Sequence, residues 1–308
     1  MTIRFDGRVA IVTGAGNGLG RAHALGLAAR GAKVVVNDLG VAKDGSGADR
    51  GPADAVVEEI RAAGGEAIAN GANVASFDEV QEMIAEAVKT WGRVDILVNN
   101  AGILRDVTFA KMDLKDFWSV MDVHVRGTVN CTKAVWELMR QQTYGRIVLT
   151  SSSSGIYGNF GQANYGTAKA AMIGLMNVLH LEGQKYNICV NVLAPTAATR
   201  MTAELLPEQA LQLMTPESIT PGVLYLASDT APSRVILGAG CGVFARSFIY
   251  ETEGVYLPEA DCTPEKVAER FAEISDTAGQ TARGAAYEQT FHFVNKAAAA
   301  KGLPTTST

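Results

Sequence analysis

Val9-Ala-Ile-Val-Thr13-Gly14-Ala-Gly-Asn17-Gly18-Leu19-Gly20 is a short apolar run that breaks into a glycine-rich turn. The apolar part reads as a buried strand, and residues 21–30 read as a helix that stops at Gly31. Gly14, Gly18 and Gly20 therefore sit between a strand and a helix. Glycines there let a backbone approach a pyrophosphate, while the helix N-terminus presents free N–H groups and the positive end of its dipole. A glycine pattern alone is weak, because turns are rich in glycine; the strand–turn–helix setting makes this one a nucleotide signature. Lys33-Val-Val-Val36 is a second strand, apolar on both faces as a central parallel strand is. It ends in Asn37-Asp38, and Asp38 lies 18 residues after Gly20, near the ~20 at which an acidic residue meets a ribose 2′-hydroxyl. A carboxylate there repels a 2′-phosphate, and no Arg or Lys directly follows the strand, so NAD is expected rather than NADP. Arg21 and Lys43 are not far away in sequence. The bland alternative for Asp38 is an ordinary turn residue.

Outward from this unit the pattern repeats. Helix 52–63 has Pro52 near its first turn and Gly64-Gly65 after its end. Residues 66–70 read as a third strand. Helix 76–90 follows, with Ser76 and Glu79 at capping-box spacing. Val94-Asp-Ile-Leu-Val98 is a fourth strand, 114–142 one long helical stretch, and Gly145-Arg-Ile-Val-Leu-Thr150 a fifth strand. Helix 164–184 and a sixth strand, Ile188-Cys-Val-Asn-Val-Leu193, complete the series. This β–α alternation with crossover-length links predicts an α/β fold: a Rossmann-type, doubly wound parallel sheet with helices on both faces. One domain is expected over 1–245. Residues 246–308 are an extension with a helix at 264–275 and an Ala/Thr-rich end expected to be disordered. The Gly-rich loop 39–51 is longer than most α/β connections; a contact with the cofactor or CoA and a plain solvent loop are both open for it.

The 308 residues are enough for a large core; 47% are hydrophobic, 19% charged, and the net charge is −5. With no basic block, nucleic-acid binding is not expected. Cys131, Cys189, Cys241 and Cys262 form no C-x-x-C pair, the four histidines are scattered, and no metal site is expected. No apolar run approaches the ~18 residues that span a membrane. No signal peptide is recognised, and the chain ends Thr-Thr-Ser-Thr rather than in a Ser-Lys-Leu address, so the cytoplasm is the expected compartment.

Tyr165-Gly-Thr-Ala-Lys169 puts a phenol and an ammonium four residues apart, on one helical face. Ser152, in the run Ser151 to Ser154, precedes the tyrosine by 13 residues. A Tyr-x-x-x-Lys pair by itself is an ordinary surface pair, and serine runs mark turns. Beside a nucleotide they form a set for moving a proton while a cofactor moves a hydride. Tyrosine is a poor base at its free pKa of about 10, and the ammonium of Lys169 is expected to lower it. Ser152 is expected to hydrogen-bond the substrate oxygen; Ser151, Ser153 and Ser154 are given structural roles.

These residues resemble the short-chain dehydrogenase/reductase family. Thr13 to Gly20 is similar to its TGxxxGxG loop, Asn99-Asn-Ala-Gly102 to its NNAG motif, and Ser152 with Tyr165-x-x-x-Lys169 to its catalytic set, together spanning about residues 7–240. The resemblance implies cofactor contacts from Gly14, Asn17, Gly18, Leu19, Gly20 and Asp38. It implies others from Asn73 and Val74 at the adenine, from Asn99, Ala101 and Gly102, from Tyr165, and from Lys169 at the nicotinamide ribose. Pro195-Thr-Ala-Ala-Thr-Arg200 replaces the usual Pro-Gly-x-x-x-Thr, so Pro195 and Thr199 are expected at the carboxamide. The family's catalytic Asn is replaced in His124-Val-Arg-Gly127. His124 either binds a relay water or orients Lys169 through the helix backbone, or is a packed histidine. Asn130 lies on another helical face.

A narrower resemblance, through Arg4-Phe-Asp-Gly-Arg8, Val36-Asn-Asp-Leu-Gly40, Asn99 to Asp106, Gly155 to Tyr165, Arg200-Met-Thr202 and Thr263-Pro-Glu-Lys-Val267, is to the (3R)-hydroxyacyl-CoA dehydrogenase region of the peroxisomal multifunctional enzymes of type 2. It implies NAD-dependent oxidation of a (3R)-hydroxyacyl-CoA to a 3-ketoacyl-CoA in fatty-acid or sterol side-chain β-oxidation, and a homodimer or tetramer. A 17β-hydroxysteroid dehydrogenase offers the same chemistry and is the rival reading. A 3-ketoacyl-carrier-protein reductase fits less well with Asp38, and a non-catalytic NAD-binding scaffold would predict a damaged Ser/Tyr/Lys set, which is intact.

Overall fold

The computed structural model describes residues 2–40, 51–196 and 208–305. The chain divides into two compact units, Met1–Arg246 and Ser247–Thr308. The first is built on strands β1 (Val9–Thr13), β2 (Lys33–Asn37), β3 (Ala67–Asn70), β4 (Ile96–Asn99), β5 (Gly145–Thr150), β6 (Ile188–Pro195) and β7 (Ile236–Gly240), and on β8 (Val243–Ser247) at the sheet's edge. The order across the sheet is β3-β2-β1-β4-β5-β6-β7-β8. Pairing is parallel from β3 through β7, with Ile11 level with Val35 on one side and Leu97 on the other. The chain winds outward in both directions from the β1–β4 junction. At such a junction the connections leave in opposite directions and open a crevice beyond the strand ends.

Strand residues alternate between two apolar layers, as a pleat requires. Ala10, Val12, Val34 and Val36 pack with Leu27, Ile60 and Val223 on one face. Ile11, Val35, Leu97 and Ile147 pack with Met83, Val135 and Met172 on the other. Helices α1 (Gly18–Ala28) and α2 (Gly51–Ala62) belong to the first layer. Helices α3 (Phe77–Trp91), α4 (Leu114–Met121), α5 (Gly127–Gln142), the short α6 (Ser153–Tyr157) and α7 (Ala163–Gly183) follow in chain order.

The structure revises several expectations. Ser76 precedes α3 but makes no side-chain cap, and Glu79 instead accepts from the Asn73 N–H at 2.9 Å. The expected single helix over 114–142 is interrupted by a π turn, Asp122–Arg126, whose closing bond runs from the Gly127 N–H to the Asp122 carbonyl. β7 and β8 were not foreseen; they are joined by Cys241 (φ 52°) and Gly242 (φ 75°), the left-handed pair that a two-residue hairpin demands.

In the second unit the expected helix 264–275 is two short helices, Pro264–Glu269 and Phe271–Ile274, broken at Arg270. The end expected to be disordered carries a 15-residue helix, Ala286–Ala300. Alanine runs look like low complexity, yet alanine is the strongest helix former. Lys296 and Glu253 (2.7 Å) and Arg283 and Glu251 (3.1 Å) pair within this unit. Among the described residues no helix is long and apolar enough to cross a membrane, and no cluster of three metal-ligating side chains occurs.

Candidate active site

The crevice is a cavity of about 750 Å³ beyond the ends of β1, β2 and β4, lined among others by Gly14, Asn17, Asp38, Asn73, Val74 and Ala101. Gly14 takes φ +62°, and a Cβ on Gly20 would lie 2.1 Å from the Gly14 carbonyl oxygen. The loop therefore closes as tightly as it does only with glycine at both places. Asn17, at the N-cap of α1, makes no side-chain cap, so the helix end keeps its donors for an anion. A shaped cavity with a glycine cradle, an uncapped helix N-terminus and an acid at the end of β2 fits a dinucleotide.

Asp38 lines this cavity and also does structural work, its two oxygens accepting from the Gly16 and Gly40 N–H groups at 2.7 Å each. Arg21, the near cation, is engaged by Glu59. Val74 is packed by Gly127, where a Cβ would lie 2.6 Å from Val74 Cγ2, and its carbonyl accepts from Asn130 Nδ2 at 2.9 Å. Leu19 packs on the core. Pro195 ends β6. Thr199, Arg200-Met-Thr202 and loop residues 41–50 lie outside the described residues.

At the end of β4 the two asparagines divide their work. Asn99 is 4% exposed and donates to Thr132 Oγ1 at 3.2 Å, away from the cavity lining. Asn100, not singled out from the sequence, lines the cavity and donates to the carbonyls of Thr13 and Gly14 at 3.0 Å. Thr13 Oγ1 answers by accepting from the Asn100 and Ala101 N–H groups. These bonds lock the NNAG segment to the glycine loop.

Ser152, Tyr165 and Lys169 come together from the end of β5 and one face of α7. Ser152 caps α6, accepting from the Ser154 N–H at 3.2 Å, and its hydroxyl favours the ionised form of the Tyr165 phenol. Ser151 is fully buried and donates to the Lys169 carbonyl at 2.7 Å, pinning α7 to β5. Gly155 lets α6 lie against α7: a Cβ there would be 2.7 Å from Lys169 Cβ. Asn164, also fully buried, holds the start of α7 by donating to the Arg105 carbonyl at 2.9 Å.

The electrostatics differ from the expectation. Lys169 Nζ donates to the Thr150 carbonyl at 2.6 Å and sits 5.6 Å from the Tyr165 ring centre. Complete burial pushes its ammonium down to about 7. The phenol of Tyr165 is raised, not lowered: burial leads, the Ser152 hydrogen bond opposes it, and the charge of Asp106 adds to it. Lys169 is not among the causes that move the phenol, and burial, the largest of them, wins.

His124 occupies the middle of the π turn, 3% exposed, with its ring edge-on to Tyr165 at 5.4 Å. Its Nε2 lies 3.1 Å from the Ile103 nitrogen and 2.9 Å from the Ile103 oxygen, and the buried Nδ1 meets no hydrogen-bond partner among the described residues. Burial, then the Lys169 charge, pushes the imidazole down to about 3, which leaves it neutral at ordinary pH. Gly102 makes room for it, since a Cβ there would be 2.3 Å from His124 Cε1. Gly102 and Ile103 also line the cavity, so the ring bridges the nucleotide crevice and the tyrosine.

With this geometry in place, similarity to known proteins identifies the chain's family. A family model of the short chain dehydrogenases matches residues 8–210. The chain is 47% identical over 281 residues to a peroxisomal hydratase-dehydrogenase-epimerase of Saccharomyces cerevisiae, covering 89% of this chain and 31% of that protein. Among solved structures, the full-length peroxisomal multifunctional enzyme type 2 from Drosophila melanogaster superposes with a TM-score of 0.80 and 37% identity, covering 96% of this chain and 50% of that one. A 7α-hydroxysteroid dehydrogenase complexed with NADH and 7-oxo glycochenodeoxycholic acid superposes with a TM-score of 0.69 and 30% identity, over 78% of this chain and 95% of that one. The chain thus spans about a third of the yeast protein and half of the fly protein. The matched family, the parallel sheet with its cavity at the β1–β4 junction, and the gathered serine, tyrosine and lysine agree: the chain belongs to the short-chain dehydrogenase family.

Proposed function

We propose that this chain is an NAD-dependent dehydrogenase that interconverts a secondary alcohol and a ketone, its main reaction being oxidation of a (3R)-hydroxyacyl-CoA to the 3-ketoacyl-CoA. The observation that carries this reading is the convergence of Ser152, Tyr165 and Lys169 beside the nucleotide cavity. When bound, the dinucleotide supplies the hydride acceptor. Tyr165 takes the hydroxyl proton, and Ser152 hydrogen-bonds the substrate oxygen where charge develops. Lys169 holds the nicotinamide ribose, the uncapped end of α1 meets the pyrophosphate, and Asn73 and Val74 flank the adenine. The neutral, packed state of His124 suits a residue that orients its neighbours better than one that carries a proton.

The thioester substrate is supported by chemistry. A hydratase adds water across a carbon–carbon double bond and produces a secondary alcohol, which a dehydrogenase beside it consumes. The yeast relative's name joins those two activities. The hydroxysteroid dehydrogenase neighbour keeps a 17β-hydroxysteroid as the second reading. The deciding measurement compares initial rates with NAD on (3R)-hydroxyacyl-CoA esters, their 3S isomers and 17β-hydroxysteroids. The 3R esters are expected to be fastest, and a steroid faster than every thioester would replace the first reading with the second. Exposed Leu114, Trp118, Val129, Val178 and Leu181 on α4, α5 and α7 support the expected homodimer.

NAD is favoured by the Asp38 carboxylate in the cavity and by the engagement of Arg21 with Glu59. Asp38→Asn keeps an acceptor for the Gly16 N–H but removes the charge. It is expected to shift the NAD-to-NADP ratio of kcat/KM toward NADP by roughly tenfold or more, the scale of one relieved like-charge contact. An unchanged ratio in steady-state assays would remove Asp38 from cofactor choice.

A further inference from the structure

Asn164 immediately precedes Tyr165 at the start of α7, and it is fully buried. Both ends of its amide are used. Oδ1 accepts from the Tyr165 N–H at 2.8 Å, and Nδ2 donates to the Arg105 carbonyl at 2.9 Å. One side chain therefore joins the backbone of the tyrosine to the segment that follows the NNAG motif. That segment is part of the cavity wall, since Gly102, Ile103 and Arg105 line the cavity. The tyrosine meets the same span a second time through its ring. The ring lies edge-on to His124 at 5.4 Å, and His124 Nε2 is within hydrogen-bonding distance of the Ile103 backbone. Tyr165 is thus held at its backbone and at its ring, and both anchors return to residues 103–105.

Satisfying the helix end does not by itself call for this arrangement. An N–H in the first turn needs only an acceptor, which serine or aspartate supplies as well as asparagine. Asparagine adds a donor, and here the donor goes to the cavity wall. Other bonds also keep the two segments together: the Val107 N–H donates to the Gly161 carbonyl at 2.9 Å, and Gln162 Nε2 donates to Asp106 Oδ2. What Asn164 adds is alignment at the residue next to the reacting phenol. We propose that Asn164 is a positioning residue that fixes Tyr165 to the wall of the cofactor cavity and so sets the approach of the phenol to the alcohol held beside the dinucleotide. A misplacement of about 1 Å at a reacting group can cost roughly a hundredfold in rate. This inference rests on Tyr165 as the base.

Asn164→Asp tests it at nearly constant volume. The carboxylate still accepts from the Tyr165 N–H but turns a bare oxygen toward the Arg105 carbonyl, where the amide had a donor. At neutral pH kcat is expected to fall by roughly a hundredfold, with KM for NAD and the NADH dissociation constant within a few-fold of wild type. A carboxyl buried against a carbonyl titrates above its ordinary range, and its protonated form carries the missing donor. The ratio of variant to wild-type kcat for ketone reduction is therefore expected to climb as pH falls through that titration. Asn164→Ala, which has neither group, is expected to lose the rate without that recovery. A residue that serves only the fold would lower stability and leave kcat per folded molecule near wild type, with the folded fraction taken from circular dichroism; that result would overturn the proposal. A ratio flat across pH would overturn it too, as would a loss of NADH affinity as large as the loss in kcat, which would make Asn164 part of the cofactor pocket. If the Asp variant does not fold at neutral pH, Asn164→Ala is read in its place by the same split between kcat and NADH affinity. Tyr165→Phe measured in parallel separates the two failures. Turnover surviving there would sink the base, whereas its loss there beside a near-wild-type Asn164→Asp would sink the positioning role and leave the base standing.

Discussion

Tyr165→Phe is expected to reduce kcat for alcohol oxidation by roughly a thousandfold, within the ~10²–10⁴ span of general acid–base catalysis, while NADH affinity stays within a few-fold of wild type. The substitution removes one oxygen and leaves the ring that packs edge-on against His124. It also frees Ser152, which remains tied to the Ser154 N–H, so the local fold should hold. Stopped-flow turnover together with fluorescence titration of NADH separates the two quantities. Equal losses in binding and turnover would show that the phenol serves the cofactor pocket, and substantial residual turnover would refute its role as base.

Lys169→Met is expected to do two opposite things. Turnover should fall by roughly a hundredfold or more, as when a preorganised polar contact is lost, and the protein should become more stable. Lys169 is 4% exposed, its ammonium donates to Thr150 O, its one side-chain hydrogen bond among the described residues, and it is held near 7 by burial. An unfolded lysine binds its proton until about 10.4. Between these values the unfolded chain carries the extra proton, so the wild-type protein gains stability as pH rises from about 7 toward 10, and the lysine's full cost is felt at pH 7 and below. Methionine fills a similar volume without that cost. Less about 1 kcal/mol for the lost hydrogen bond, a gain of roughly 3 kcal/mol at pH 7 follows from ~1.4 kcal/mol per pH unit. The advantage should shrink as pH rises. Denaturant unfolding at pH 7 and pH 9 measures it; a variant less stable than wild type at pH 7 would mean that the lysine is paired well enough to offset its burial.

The two variants bear on why the site is arranged as it is. A lysine that costs stability yet is pinned by Thr150, Ser151 and the close approach of Gly155 is held for function. Trading stability for a preformed site is common in enzymes. The phenol beside it is raised by burial, so its activation as a base depends on groups brought near it during turnover.

Most of the fold was legible in the residues. Val-rich strands, glycine after β1 and the alternation of strand and helix are local patterns, and local patterns survive into the structure because each is stabilised by its own neighbours. The β1 and β2 strands came within a residue of their ends for this reason. Breaks caused by contacts distant in sequence were not legible. The π turn at His124 depends on Ile103, 21 residues earlier, and no helix-propensity pattern over 114–142 carries that information. The Ser76–Glu79 box failed likewise, because the Asn73 N–H competes for the same carboxylate.

The sequence by itself determined the strand–glycine–helix unit, the acid at the end of β2 and the order Ser152, Tyr165, Lys169, since these are short-range spacings of residue types with few other uses in combination. Tertiary structure alone decided that Asn100 rather than Asn99 lines the cavity, that Lys169 is buried deeply enough to lower its proton affinity, and that His124 is packed and neutral. Burial and charge proximity depend on what the rest of the chain places around a residue, and in this site they set the proton affinities that the residue types leave open.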